Sequence, residues 1–140
     1  KGGIRLIIDK DRLYALRMDV ITYGFMQKRM QALAAAQQRV TAMYGIQPRG
    51  GGTNGDRISA VVARVEDLKA ALGVRLIEIE VERQFIECAL DALDARHRIV
   101  LYLRYIEGKS WQQVEDLLHY DERHIMRLHK EGLDTLRRAK

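Results

Sequence analysis

Along the first third of the chain the apolar residues Leu13, Leu16, Val20, Tyr23, Met30, Leu33, Val40 and Met43 return at three- and four-residue steps, with one gap. That is the period of a helix with one apolar face, and no proline interrupts it between residues 9 and 44, so the pattern predicts one long amphipathic helix. It breaks at GIQPRGGGTNG, residues 45–55, where the single proline and five glycines fall together. A flexible Gly-rich turn is the expectation there. The glycines do not make a phosphate-binding loop, since no Lys-Ser or Lys-Thr pair follows them and no strand is predicted before them.

Beyond the turn Asp56 is placed to cap a second helix. Ile58, Val65, Leu72, Ile79, Ile86 and Leu93 then recur at seven-residue intervals without exception. Val61, Val62, Leu68, Leu76, Ala89 and Leu90 fill the intermediate positions, and such a heptad seam needs a partner helix to bury it. The first helix, folded back through the glycine turn, is the nearest partner, so residues 1–93 are predicted to form an antiparallel, coiled-coil-like hairpin. Gly73 weakens the helix locally, Arg75 and Glu82 interrupt the seam, and Phe25, Met26, Ile77 and Val81 fall off its main row. A two-helix hairpin buries little surface, so self-association through this region is expected.

After Leu93 the period changes and the predicted helices shorten, which sets off residues 94–140 as a second domain. Asp94 is placed to cap a helix carrying Ile99, Val100, Leu103 and Ile106, ended by Glu107 and Gly108. Ser110 stands three before Gln113, a capping-box spacing, so a helix should run from Trp111 to Leu118. His119 takes the turn, Asp121 caps again, and a last helix starts at Glu122. On that helix Ile125, Leu128, Gly132 and Leu136 share one narrow sector, while Arg123, Arg127, Lys130 and Asp134 fall opposite. A helix-turn-helix reader needs this two-faced second helix, one side packed on the scaffold and the other offered to the major groove.

Composition agrees with an all-α chain: among 140 residues there is one proline, 6% are aromatic, and helix-forming residues abound. The net charge of +5 is uneven, with +6 in residues 1–55, −3 in 56–93 and +2 in 94–140. A basic balance of this kind points to a polyanion partner. One cysteine, Cys88, makes neither a disulfide nor a Cys-based zinc site by itself and is expected to pack in or beside the hairpin seam. No apolar run reaches the length of a membrane span, and KGGIRLII is too short and too charged for a secretion signal. His97, His119, His124 and His129 do not share a ligand geometry, so no metal or other cofactor is expected. Trp111 and Tyr120 read as core anchors, and no nucleophile-base or paired-carboxylate arrangement argues for an enzyme.

The order LDAR, LRYIEGKS, WQQVEDLL and IMRLHKEGLDTLRR in the segment from about Asp91 to Lys140 resembles the fourth region of bacterial sigma factors, the helix-turn-helix that reads the promoter −35 element. Glu115 stands where that family has a small residue, and His119 where it has glycine; histidine accepts positive φ better than most residues. With its two-helix front and PRGGGTNGD loop, the chain is also similar to small phage-encoded sigma-like regulators of the RinA and ArpU type. That resemblance implies a sequence-specific DNA-binding activator of phage late genes, working in the cytoplasm of the bacterial host on double-stranded DNA, with RNA polymerase as a further partner. It places the DNA-contacting residues at Glu122, Arg123, His124, Met126 and Arg127, to which the cationic face adds Lys130. Two other functions fit the same elements: a non-enzymatic protein that binds polymerase or a helical partner, and a subunit of a phage DNA-packaging machine.

Overall fold

A computed structural model describes residues 7–44 and 53–138. It is all-α, with helices α1 (Lys10–Tyr44), α2 (Thr53–Leu90), α3 (Ala95–Leu101), α4 (Trp111–Leu118) and α5 (Glu122–Arg138) and no strand among the described residues. The long hairpin of α1 and α2 precedes a helix-turn-helix, as the hydrophobic periods predict. Residues 45–52 of the expected Gly-rich turn lie outside the described residues.

Asp9 caps α1, its Oδ1 accepting from the Arg12 backbone N–H at 2.9 Å. Contrary to expectation, α2 begins at Thr53, so Asp56 lies inside the first turn and does not cap it. A carboxylate there still meets the positive end of the helix dipole.

Two compact units divide the chain, Thr22–Ile77 on the one hand and Lys1–Ile21 with Glu78–Lys140 on the other, so the division falls within the two long helices. In the Thr22–Ile77 unit Val65 is buried, while Ile58, Val62 and Leu72 are half-buried. Val61, Leu68 and Leu76, expected to fill the seam, are exposed: one partner helix covers a single row and leaves its flanks in solvent.

The second unit holds most of the core. Leu13 and Leu16 of α1 and Ile79, Ile86 and Leu90 of α2 are buried, together with Leu93. Glu82 accepts two hydrogen bonds from the Arg12 guanidinium, at 2.6 and 2.9 Å, and Arg12 lies 4.6 Å over the Phe85 ring. What interrupts the seam in sequence is thus a paired charge, and the hydrogen bond from Arg12 holds the Glu82 carboxyl below its ordinary range. Cys88 is exposed rather than packed in the seam, because it lies on the side of α2 turned away from the buried row.

The helix expected to carry Ile99, Val100, Leu103 and Ile106 departs from that pattern. After Leu101 it widens into a π-helical turn over Tyr102–Ile106, where the Glu107 N–H donates to the Tyr102 carbonyl at 3.0 Å. The wider turn keeps residues five apart on one side, so Val100, Leu101, Tyr105 and Ile106 are all buried while Ile99 is exposed. Asp94 stands at the N-cap of α3 without a side-chain capping bond. Gly108, at φ 72°, closes the turn into the next segment as expected.

Candidate DNA-binding surface

The surface is built by local signals on either side of α4. Ser110 Oγ accepts from the Gln113 backbone N–H at 3.1 Å, and Gln113 Oε1 accepts from the Ser110 N–H at 2.9 Å, a complete capping box. At the other end His119 adopts the left-handed conformation, φ 59° and ψ 37°, and its N–H donates to the Glu115 carbonyl at 2.8 Å. The histidine where glycine was expected therefore makes the same turn. Asp121 Oδ1 accepts from the His124 backbone N–H at 2.8 Å, which starts α5 at Glu122.

One face of α5 is buried. Ile125 and Leu128 join Val100 and Val114 in a core cluster against which Leu103, Trp111, Leu118, Tyr120 and Met126 pack. Trp111 and Tyr120 are therefore the anchors their sequence context suggests. Gly132 lets α5 approach α3: a Cβ there would stand 3.1 Å from Leu101 Cδ1 and 3.4 Å from His97 Cβ. Beside it the His97 Nε2 lies 2.9 Å from Glu131 Oε1. That hydrogen bond, with smaller contributions from the charges of His97, Arg127 and Arg96, lowers the Glu131 pKa from its ordinary value.

The opposite face carries Arg123, Arg127 and Lys130, all exposed. Neither Arg123 nor Arg127 forms a salt bridge within 4 Å among the described residues, and the Arg127 charge acts on the Glu131 carboxylate one turn on. Lys130 Nζ stands 3.3 Å from Asp134 Oδ2, and Asp134 also pairs with Arg137 at 2.8 Å. Glu122 is exposed at the start of the helix. Two of the predicted contact residues sit differently. His124 is half-buried with its ring 4.1 Å from that of Tyr120, and Met126 is half-buried against the core cluster. The structure thus gathers Arg123, Arg127 and Lys130 on one face and draws His124 and Met126 towards the scaffold.

Sequence reasoning missed two arrangements beside this helix. The buried His129 ring lies 2.7 Å, Nε2 to hydroxyl, from Tyr105, and meets the Trp111 ring edge-on at 4.8 Å. Burial, with the charges of Lys10 and Arg104, pushes its pKa down to about 4. The neutral ring and the tyrosine hydroxyl share this hydrogen bond. Arg104 lies 4.3 Å over Trp111 and donates to the Lys109 carbonyl at 3.2 Å, the carbonyl that Arg17 also reaches at 3.4 Å. Nothing in the sequence periods signals either, because both depend on the π-helical turn over Tyr102–Ile106 that brings Arg104 and Tyr105 to one end of α4.

Residues 89–138 match the family model described as Sigma-70, region 4. No curated protein and no solved structure matches the chain. The match covers the helix-turn-helix and its buried scaffold, and makes this part of the chain a sigma-region-4-like module, a type of DNA-binding helix-turn-helix found in transcription factors.

Proposed function

We propose that the protein is a sequence-specific transcriptional regulator that activates phage late genes, with α5 as its recognition helix. The observation that carries the reading is the exposed row of Arg123, Arg127 and Lys130 on a helix whose other face is fixed in a sigma-region-4-like module. A fork of guanidinium donors on such a helix suits the paired acceptors of guanine in the major groove, and a lysine suits phosphate. Arg127 acts as a base reader and Lys130 as a phosphate contact. Glu122 and Arg123 flank the entry of the helix into the groove, while His124 and Met126 hold the helix at its depth. Double-stranded DNA is the primary partner and RNA polymerase a second, the protein acts in the bacterial host cytoplasm, and it performs no catalysis. Copies associate through the α1–α2 hairpin, which leaves Phe25, Met26, Ile77 and Val81 exposed.

Selection of bound fragments from phage DNA, followed by footprinting, tests this reading. Protection is expected upstream of a promoter, with log affinity falling against log salt by about 0.9 for each phosphate neutralised. Arg127→Ala should lose about 1 to 3 kcal/mol on the selected site and little on random DNA. Protection at a packaging site would instead support the packaging subunit, and absence of protection a protein-binding role. If Arg123→Ala with Arg127→Ala leaves affinity intact in a folded protein, α5 is not the reader.

A further inference from the structure

Two arginines meet where α1 lies against the end of the π-helical turn, within one compact unit. Val20 and Ile21 of α1 pack on Gly108, where a Cβ would stand 3.3 Å from Ile21. One turn earlier, Arg17 reaches the Gly108 and Lys109 carbonyls, each at 3.4 Å, and Arg104 reaches the same Lys109 carbonyl at 3.2 Å. A shared acceptor makes the two guanidinium groups near neighbours, although their charges repel. Neither forms a salt bridge among the described residues, and Glu107, the carboxylate of this turn, pairs with Arg83 at 3.8 Å. The buried Nε of each carries no hydrogen bond, and a buried charged donor without an acceptor is costly. Each group has one further amino nitrogen, Nη1 of Arg17 and Nη2 of Arg104, that bonds to nothing among the described residues and is open to solvent. Desolvation, and after it the charge of Arg17, lowers the Arg104 pKa from its ordinary value, and no carboxylate offsets them.

We propose that Arg17 and Arg104 together hold one phosphate-type oxyanion at this corner, its oxygens accepting from the two unbonded amino nitrogens. Guanidinium groups match such an anion in charge and in donor geometry, and one anion between two of them turns their repulsion into a shared attraction. The anion is free in solution or belongs to the DNA backbone, and only the second source rests on the DNA-binding reading above. Arg17 lies outside the segment 89–138 that matches sigma region 4, so α1 adds to that module a contact from beyond it.

Trp111, the single tryptophan of the chain, reports on the site because Arg104 lies 4.3 Å over its ring. In the full chain, inorganic phosphate should change the Trp111 fluorescence saturably, half-complete at roughly millimolar concentration, while chloride at equal ionic strength should not. Arg17→Gln should raise that half-point at least about tenfold, and Arg17→Lys, which keeps the charge, should recover part of the loss. Circular dichroism checks that both variants keep their helix content. On DNA, Arg17→Gln should weaken selected and random duplexes alike and lower the slope of log affinity against log salt by about 0.9 when the anion is a backbone phosphate. An unchanged slope beside a phosphate-sensitive Trp111 assigns the site to a free anion, and a lowered slope assigns it to the DNA. A Trp111 signal indifferent to phosphate, together with an unchanged slope, overturns the site and leaves the two arginines as clamps on the turn carbonyls. A phosphate response that chloride reproduces, or that is equal in Arg17→Gln, overturns it as well. A chain that binds no DNA refutes the DNA-binding reading, and the phosphate titration alone then decides the site.

Discussion

Acidification should destabilise this protein through His129 before its carboxylates take part. The ring is 7% exposed, is hydrogen-bonded to the Tyr105 hydroxyl and has its pKa pushed down to about 4 from 6.5. Because the folded pKa lies below the unfolded one, the unfolded chain takes up the proton first as pH falls. The stabilisation is complete above about pH 6.5 and is lost as the pH drops towards 4. At pH 5 the unfolded histidine has been favoured over about 1.5 pH units, which at 1.36 kcal/mol per unit is about 2 kcal/mol. The ring keeps some contact with water, which puts the expected loss at about 1 to 2 kcal/mol, or several degrees in melting temperature. Glu82, held below its ordinary range by Arg12, adds its own loss only below its unfolded value of 4.5, so the window between pH 6.5 and 5 belongs to the histidine. Urea unfolding at half-unit pH intervals reads this slope in the intact chain and in His129→Phe with Tyr105→Phe. The double change removes the titrating ring and also the hydroxyl that would otherwise be stranded. Its stability should be flat over that window. If the intact chain loses no stability between pH 7 and 5, or the double variant loses just as much, His129 is not the buried neutral base described here.

Three further substitutions test the scaffold. Ile86→Ala should cost about 2 to 5 kcal/mol because the side chain is fully buried; Leu72→Ala, half-buried on the same row, should cost clearly less, and equal midpoints in urea would refute the uneven seam. His119→Gly should leave stability unchanged or raise it by up to about 1 kcal/mol, since the residue sits at φ 59°, where a Cβ is unfavourable; a fall in melting temperature would show that the histidine side chain holds the turn. Gly132→Val adds branches where even a Cβ would lie 3.1 Å from Leu101, and should destabilise by about 1 to 3 kcal/mol, visible as a lower melting temperature.

The parts legible in the sequence are those whose determinants are local. Ser110 with Gln113, His119 and Asp121 each act within a few residues of chain, and α4 begins and ends, and α5 begins, where those residues predict. The two faces of α5 are legible for the same reason, since helical spacing alone sorts Ile125, Leu128 and Leu136 from Arg123, Arg127 and Lys130. The π-helical turn is not local in this sense. Its register is set by the need to bury Leu101 and Tyr105 together with Val100 and Ile106, which no single period expresses. The Tyr105–His129 pair depends in turn on that register, and joins residues far apart in sequence. Likewise the heptad row of α2 announced a seam but not its width. Val61 and Leu68 look like seam residues until the partner is known to be one helix, and Cys88 looks buried until the direction of that partner is fixed.

The direction of the cationic face depends on the rotation of α5 about its own axis, and contacts of three different kinds fix it at three positions within one turn. His129 must reach the Tyr105 hydroxyl at 2.7 Å, Glu131 must meet His97 at 2.9 Å, and Gly132 must lie against Leu101, where a side chain would crowd. Each tolerates a shift of a few tenths of an ångström. A rotation by one residue, about 100°, would break all of them and bring Met126 and Lys130 towards the core in place of Ile125 and His129. Burying the Lys130–Asp134 pair takes two charges out of water and costs more than the hydrogen bonds it would replace. The outward face of Arg123, Arg127 and Lys130 is therefore held by the inward one, and a variant that loosens Gly132 or His129 should weaken DNA binding without touching any residue on that face.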